Sequence, residues 1–439
     1  MHFIIHRGSN EIGGSCVEVK SRNSRIVIDI GVPIVTTSGK RFDFKDYRKL
    51  SREELITSKL LPNVKGLYGQ DSGNKPVDGL LISHAHIDHY GLYNFVDKDI
   101  QYHLGEATHK LINLSNIFIK DRGSIEKVAP YIQDREQFNI EDFKITPFLM
   151  DHSAFDAYAF LIEADGKKLF YSGDFRSHGR KGKLFYKFLR TAPEGINALL
   201  LEGTLIKERA SSSKTFKTEE VVENEIVKVL EKHKTIVFGI ASSQNIDRMV
   251  SFYKAAKRTG RLFVIDVYTA NILSGIEKDT IPHPSKNYPE IKVFFPKHLC
   301  DKLNRLKRKD MMFDFKQYKI TRDEISKNLF NVFMMVRPSV KSYLERIENI
   351  GASPVIYSMW EGYMEEAENS DFIKYITKED DSLVHRIHTS GHADVRTLKE
   401  IVNRLKPDKV IPIHTLNPKM YVTHFKNVIE VLDGQEIEI

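Results

Sequence analysis

The stretch Ser83-His84-Ala85-His86-Ile87-Asp88-His89 follows a short apolar run at 79–83, and no other feature constrains the fold as strongly. It places three imidazoles and one carboxylate within six residues. So many hydrogen-bonding groups at one strand end cannot all satisfy each other, whereas one cation satisfies them together. Neutral imidazole and carboxylate suit Zn²⁺, and Mn²⁺ and Fe²⁺ accept the same donors. Three further candidates each stand just beyond an apolar run: His152 after the run ending at Leu149, Asp174 after 169–173, and His414 after 410–413. If these runs are strands, their ends can bring the donors to one sheet edge, where functional loops concentrate.

The first 205 residues alternate short runs rich in β-branched and aromatic residues, at 24–30, 79–83, 144–149, 158–163, 168–172 and 198–201. Gly, Pro, Asp or Ser bound each run, as expected of strands. The texture changes near Thr218. A helix is expected over 218–232 with Thr218 as its N-cap, a strand over 235–240, a helix over 244–259 ending at Gly260, and a strand over 262–267. That strand–helix–strand unit suits a parallel sheet. Strand signals return at 332–336 and 354–358, while 287–318 has no clear assignment. The C-terminal stretch resumes the first style, with a helix expected over 395–405, a strand over 409–413 and a helix over 422–431. The expected organisation is a body formed by 1–205 and a returning piece, 385–439, with 206–384 inserted between them.

Composition narrows the class. The chain has 439 residues, 41% hydrophobic and 28% charged, which excludes low-complexity disorder, a collagen and a small disulfide scaffold. No apolar run approaches a membrane span, so no membrane partner is expected. The opening Met-His-Phe-Ile-Ile-His-Arg-Gly is too short an apolar stretch for a signal peptide. Cys16 and Cys300 form no pair motif and are expected to be free thiols in a reducing, cytoplasmic setting. The net charge of +7 suits a polyanionic partner without demanding one.

His84-Ala85-His86-Ile87-Asp88-His89 is similar to the metallo-β-lactamase-fold signature. Asp29 in Ile28-Asp29-Ile30-Gly31 resembles that fold's first motif, His152 its third and Asp174 its fourth. The resemblance implies an α/β protein, an αββα sandwich, holding two Zn²⁺ per chain, with Mn²⁺ as the alternative. His84, His86 and His152 would hold one ion. Asp88, His89 and His414 would hold the other, and Asp174 would bridge them. Asp29 would orient ligands rather than bind metal, although its position also suits a strand-end turn. Three further segments resemble motifs A, B and C of the β-CASP nucleases: Leu199-Leu200-Leu201-Glu202-Gly203-Thr204, Thr389-Ser390-Gly391-His392-Ala393 and Pro412-Ile413-His414, with about 180 residues between the first two. They imply an inserted α/β β-CASP domain.

Within that family the chain resembles ribonuclease J. The resemblance is carried by His6-Arg7-Gly8-Ser9-Asn10-Glu11-Ile12-Gly13-Gly14, Asp151-His152-Ser153 with Asp156-Ala157, Asn245-Ile246-Asp247-Arg248 and Leu405-Lys406-Pro407. There are departures. Asp247 replaces a histidine, Tyr357-Ser358-Met359-Trp360-Glu361-Gly362 replaces a Gly-Ser-Gln-Gly-Glu loop, and Thr415 replaces a glycine. The sequence runs only 25 residues past His414, so that family's C-terminal domain is not expected within it. End preference and oligomeric state are therefore not implied, and a homodimer has no support in the sequence.

The expected activity is zinc-dependent hydrolysis of RNA to 5′-phosphate products, as a 5′–3′ exonuclease, an endonuclease or both, by two-metal activated hydroxide attack in which Asp88 takes part. His392 would bind the scissile phosphate or protonate the leaving group, and Glu202 would orient a histidine or cap a turn. Ser390 and the bare backbone of Gly391 could approach a phosphate. Ser243, Asn245 and Arg248 lie between a strand and a helix, where phosphate contact and ordinary helix capping are both open. Arg176, Arg180, Lys181 and Lys183 are candidates for backbone contact, and Trp360 for base stacking or core packing. The alternatives are a β-CASP nuclease acting on DNA in repair or defence, and a small-molecule metallohydrolase. An inactive scaffold is disfavoured by the complete ligand set.

Overall fold

Three six-stranded sheets organise the chain in this computed structural model, which describes residues 1–34, 42–43, 50–69, 74–118, 123–207 and 216–439. Two compact units result. The first comprises Met1–Ile112, Gly123–Thr215 and Gly391–Ile439; the second comprises Asn113–Arg122 and Phe216–Ser390.

The first unit holds two sheets. One contains β1 (His2–Arg7), β2 (Cys16–Lys20), β3 (Arg25–Ile28), β4 (Gly79–Leu81), β5 (Tyr102–His103) and β18 (Glu436–Glu438), in the order β18-β1-β2-β3-β4-β5. The other contains β6 (Phe138–Ile140), β7 (Phe143–Met150), β8 (Ala157–Ala164), β9 (Lys167–Tyr171), β10 (Ala198–Glu202) and β17 (Lys409–Ile413), in the order β17-β10-β9-β8-β7-β6. Side chains alternate across a strand. Phe3, Ile5, Val17, Val19, Ile26 and Ile28 therefore face the second sheet, where Phe160, Ile162, Leu169, Tyr171, Leu200 and Ile411 meet them in one core. The intervening residues Ala159, Leu161, Phe170, Leu199 and Leu201 point the other way, onto helices Gly182–Arg190 and Val395–Leu405. Burial on both faces is why these strands read as continuous apolar runs. Asp165 and Gly166, both at positive φ, close the two-residue turn between β8 and β9.

Strand direction places the donors. β3 runs parallel to β4, with Ile28 opposite Leu81. β7 and β9 are both antiparallel to β8. β10 is parallel to β9 and β17, and Glu202 sits opposite Ile413. The carboxyl ends of β7, β9, β10 and β17 therefore lie along one edge.

The second unit is a parallel sheet of β11 (Val237–Ile240), β12 (Leu262–Asp266), β13 (Ile291–Phe294), β14 (Val332–Met335), β15 (Val355–Tyr357) and β16 (Val384–Arg386), ordered β13-β12-β14-β11-β15-β16. Helices Glu219–Lys232 and Ile246–Arg258 begin on side-chain caps from Thr218 and Asn245. The unassigned segment 287–318 contains β13 and the helix Lys297–Arg305.

One expected helix is absent. Residues 422–431 hold only the end of a 3₁₀ turn, Pro418–Thr423, followed by a turn, a bend and a single bridge residue, Val428. Their apolar side chains serve two cores: Phe425 and Val428 pack with the outer cluster, while Ile429 and Val431 join the inter-sheet core. A helix would put one stripe on one side only. Asn427 at φ 56 and a bridge from Val428 to Val410 hold the segment beside β17 instead. Cys16 is buried, Cys300 is half-buried, and both are free thiols. No helix among the described residues is long and apolar enough to cross a membrane.

Candidate metal centre

His84, His152, Asp174 and His414 stand just past strands of the first unit, while Asp88 and His89 lie on the short helix Ile87–Tyr90. Asp29 follows β3 in the left-handed region at φ 61, and His414 follows β17 at φ 53. A side chain at Gly31 would put its Cβ 1.6 Å from the Asp88 carbonyl oxygen, so only glycine lets this turn lie against the histidine-rich loop.

Three histidine nitrogens converge. His84 Nε2 lies 3.1 Å from His86 Nδ1, and His152 Nε2 lies 3.0 Å from the same atom. The outer nitrogens fix the tautomers. His152 Nδ1 donates to the Gly391 carbonyl at 2.6 Å. The Ser83 hydroxyl gives its proton to Asp29 at 2.8 Å and so accepts from His84 Nδ1 at 3.0 Å. His84 and His152 thus turn bare lone pairs inward, and one proton on His86 cannot point at both. A cation fits this donor set, and zinc takes imidazole nitrogens at about 2.0–2.1 Å. Burial, reinforced by the neighbouring imidazoles, pushes the His84 and His152 pKa values well down. Burial also brings His86 to about 4. All three are therefore neutral at pH 7, as ligands must be.

Beside them lies a second group, Asp88, His89, Asp174 and His414. Asp88 Oδ2 is 3.2 Å from His414 Nε2, and Asp174 Oδ2 is 3.1 Å from His89 Nε2. Asp174 Oδ2 also lies 3.9 Å from His84 Nε2, which places this carboxylate between the two groups. Burial opposes charge on His89, yet Asp174 and Asp29 outweigh it and hold its pKa well up. Burial likewise opposes charge on Asp174, but the histidines around it keep its pKa well down.

The β10 end adds Glu202 and the returning chain adds His392. Glu202 accepts from the backbone N–H groups of Thr204 and Ala393, at 3.0 and 2.9 Å. His392 Nδ1 lies 3.7 Å from both Glu202 Oε2 and Asp174 Oδ2. Burial would lower the His392 pKa, but these carboxylates push it up to about 9. A Cβ on Gly391 would come within 2.6 Å of Ser153 Oγ, so the glycine lets this loop reach His152. Ser390 is the last residue of the second unit and is half-buried.

Several expected substrate contacts are placed differently. Arg248 is fully buried within the second unit. Its Nη2 pairs with Glu219 at 3.0 Å, and its Nη1 donates to Ser358. That guanidinium holds the helix Ile246–Arg258 in place and does not face a solvent-borne phosphate. Asn245 caps the same helix, accepting from Arg248 N at 3.0 Å. Ser243 is buried, with Oγ 2.9 Å from Thr269 Oγ1 and 3.2 Å from Arg337 Nη2. Arg176 is buried beside Asp151 at 3.7 Å, which corrects its expected backbone contact. Trp360 is 61% exposed and meets Tyr363 edge-on, which removes core packing as its role.

Sequence reasoning missed two groups behind the ligands, Tyr171 and Thr204. Tyr171 OH donates to Asp29 Oδ2 at 2.8 Å, and Thr204 Oγ1 lies 2.8 Å from His414 Nδ1. The only signal was their place at strand ends next to named candidates.

The chain matches two family models, the β-lactamase superfamily domain over residues 64–240 and the Zn-dependent metallo-hydrolase RNA specificity domain over residues 382–436. It is 24% identical over 281 residues to an RNase J-like protein of Methanocaldococcus jannaschii, covering 60% of this chain and 57% of that one. It is 21% identical to ribonuclease J 2 of Streptococcus pyogenes, over 92% of this chain and 68% of that one. It is 22% identical to ribonuclease J of Mycoplasma genitalium, over 93% and 66% respectively. The matched parts thus span only 57% to 68% of these curated relatives. A crystal structure of a protein of unknown function from Enterococcus faecalis V583 shares the fold, with a TM-score of 0.75 at 20% identity over 99% of both chains.

Proposed function

We propose that this chain, which belongs to the ribonuclease J-like proteins of the metallo-β-lactamase superfamily, is a metal-dependent ribonuclease releasing 5′-phosphate products. One observation carries the proposal: Asp174 stands between the three converging histidines and the Asp88–His89–His414 group, with His392 and Glu202 against it. The RNA specificity match over 382–436, which contains both His392 and His414, favours RNA as the substrate.

His84, His86 and His152 would hold one Zn²⁺, Asp88, His89 and His414 a second, and Asp174 would be shared. Such ions, when bound, supply Lewis acidity toward phosphoryl oxygens and lower the pKa of water to about 7. The chain's own residues do the rest. Asp29 and Thr204 fix the ring orientations of His89 and His414. Glu202 ties the 203–204 and 393 backbones together and helps keep His392 protonated. With Nδ1 toward the carboxylates, His392 presents Nε2 to the scissile phosphate and gives its proton to the departing 3′ oxygen. Ser390 and the backbone of Gly391, adjoining His392, would line the approach of that phosphate.

The test uses matched single-stranded RNA and DNA, each labelled at either end, with a His86→Ala control. RNA cleavage that the control lacks supports the proposal. Mononucleotides released from the 5′ end mark an exonuclease, and discrete internal fragments an endonuclease. Cleavage of DNA alone transfers the activity to a DNA nuclease. Cleavage of neither by metal-loaded protein points to a small-molecule hydrolase.

A further inference from the structure

The second unit contains a cavity of about 560 Å³ that lies wholly within it, on residues 295–346. Its position follows from the strand order. The chain leaving β12 goes to β13 on one side, whereas the chain leaving β14 passes β11 to reach β15 on the other. Such divergence opens a crevice at the carboxyl ends of a parallel sheet, where ligands bind in open α/β folds. Asp266 and Arg337 flank this point and pair at 2.9 Å. His298, on the cavity wall, feels the charges of both. The cavity lies past the end of β13, between residues 295–301 that follow this strand and residues 340–346 that follow β14.

Its chemistry is two-sided. Pro296, Ile320 and Val340 are buried and form an apolar floor. Lys297, Lys319, Arg322 and Arg346 form the rim, with Asp301 the one acidic lining residue. Asp301 is already paired with Lys297 at 2.5 Å. Lys319, Arg322 and Arg346 have no carboxylate within ion-pair distance among the described residues, and Arg322 stacks over Tyr343 at 5.6 Å. Three cations held around one concavity repel each other unless an anion joins them. A guanidinium lying on a tyrosine also offers a flat face to a base. The volume suits a small ligand, since such pockets run to about 300–1,000 Å³.

We propose that this cavity is a nucleotide site, taking a phosphate on the Lys319–Arg322–Arg346 rim and a base over the Ile320–Val340 floor. The nucleotide is either free or one unit of a bound strand; the phosphate and base chemistry is the same. The site does not rest on the ribonuclease proposal, because its residues are separate from the metal donors.

The test compares the metal-loaded full chain with a Lys319→Glu, Arg346→Glu variant and with a Lys228→Glu, Lys234→Glu control altered at exposed positions of the same unit. AMP and a phosphorothioate-linked decauridylate are titrated into each by calorimetry. Charge-assisted hydrogen bonds imply a loss of about tenfold or more in affinity for the first variant. The control is expected to bind as the parent does, and hydrolysis of bis(p-nitrophenyl) phosphate is expected to stay unchanged in all three. Loss for AMP identifies a free-nucleotide site, and loss for the decamer alone identifies a strand-binding one. Equal binding by parent and variant, equal loss in the control, or a parallel fall in bis(p-nitrophenyl) phosphate hydrolysis overturns the proposal. A chain that cleaves no RNA yet loses AMP binding in the variant refutes the ribonuclease assignment and leaves this one standing.

Discussion

His89 Nδ1 and Asp29 Oδ2 lie 2.7 Å apart, and neither side chain reaches solvent. The carboxylate fixes a proton on Nδ1 and turns Nε2 toward Asp174, 3.1 Å away. Asp29 is itself anchored, accepting from Ser83 N, the Ser83 hydroxyl and Tyr171 OH. One buried carboxylate thus orients His89 and, through Ser83, His84. Partners of this kind set both ring orientation and ligand basicity.

Asp29→Asn keeps the size of this group but removes its charge. Zinc affinity is expected to fall by about 10–100-fold, as for other partners of ligating histidines. Competition with a chromophoric chelator measures this directly. Zinc affinity equal to the parent's would show that Asp29 only shapes the turn after β3.

Much of this site was legible because its donors are bunched or follow apolar runs. The cluster 83–89 and the strand-end positions of His152, Asp174 and His414 needed no knowledge of packing. The partners were not legible. Tyr171 reads as one more apolar strand residue until the sheet aligns it with Asp29, and Thr204 gains its role only because β10 pairs with β17. Arg248 shows the opposite failure. A guanidinium at a helix start looks like a phosphate contact, and only the fold reveals Glu219 behind it. Residues 422–431 misled for a related reason: Phe425 and Val428 serve one core and Ile429 and Val431 another, a split that a local apolar run does not distinguish from a helix.

Chelation tests the metal assignment independently of activity. Three converging neutral imidazoles, two of them buried with lone pairs turned inward, are costly without a cation. Ligand binding adds about 4 kcal/mol of stability when the ligand stands a thousandfold above its dissociation constant. Excess EDTA is therefore expected to lower the thermal midpoint, and added Zn²⁺ to restore it. His84→Ala is expected to lose most of that response. A midpoint indifferent to chelator and zinc in the parent would remove the metal from the account.

His103 gives a pH dependence away from the metal donors. It is 7% exposed, stacks on Phe138 at 5.4 Å, and its Nε2 has no hydrogen-bond partner among the described residues. Burial lowers its pKa from 6.5 to about 4. Between these values the unfolded chain binds a proton that the folded chain refuses, so stability falls as pH drops from 6.5 toward 4. The full contribution is about 3 kcal/mol at the lower end, taking about 1.4 kcal/mol per pKa unit. His103→Leu removes the titrating group. The variant is expected to gain on the parent progressively below pH 6.5, as read from urea midpoints in EDTA at pH 5 and pH 7. Parallel pH profiles would show that His103 is protonated without cost in the folded state.

Arg248 and Glu219 separate a structural role from a substrate role. Both side chains are essentially inaccessible, and Ser251 Oγ donates a further hydrogen bond to Glu219 at 2.8 Å. Removing one partner of such a pair leaves an uncompensated buried charge and costs about 3–5 kcal/mol. Arg248→Met is therefore expected to destabilise the protein by about that amount. Replacing both residues, as Arg248→Met with Glu219→Leu, is expected to recover part of the loss, because no lone charge remains. A phosphate contact predicts a different pattern. The guanidinium would then bind substrate, so Arg248→Met would raise KM for RNA whether or not Glu219 is present. Denaturant midpoints and KM measured on the parent, both single variants and the double variant distinguish the two. A KM that rises equally in Arg248→Met and in the double variant, with stability unchanged, would return Arg248 to the substrate.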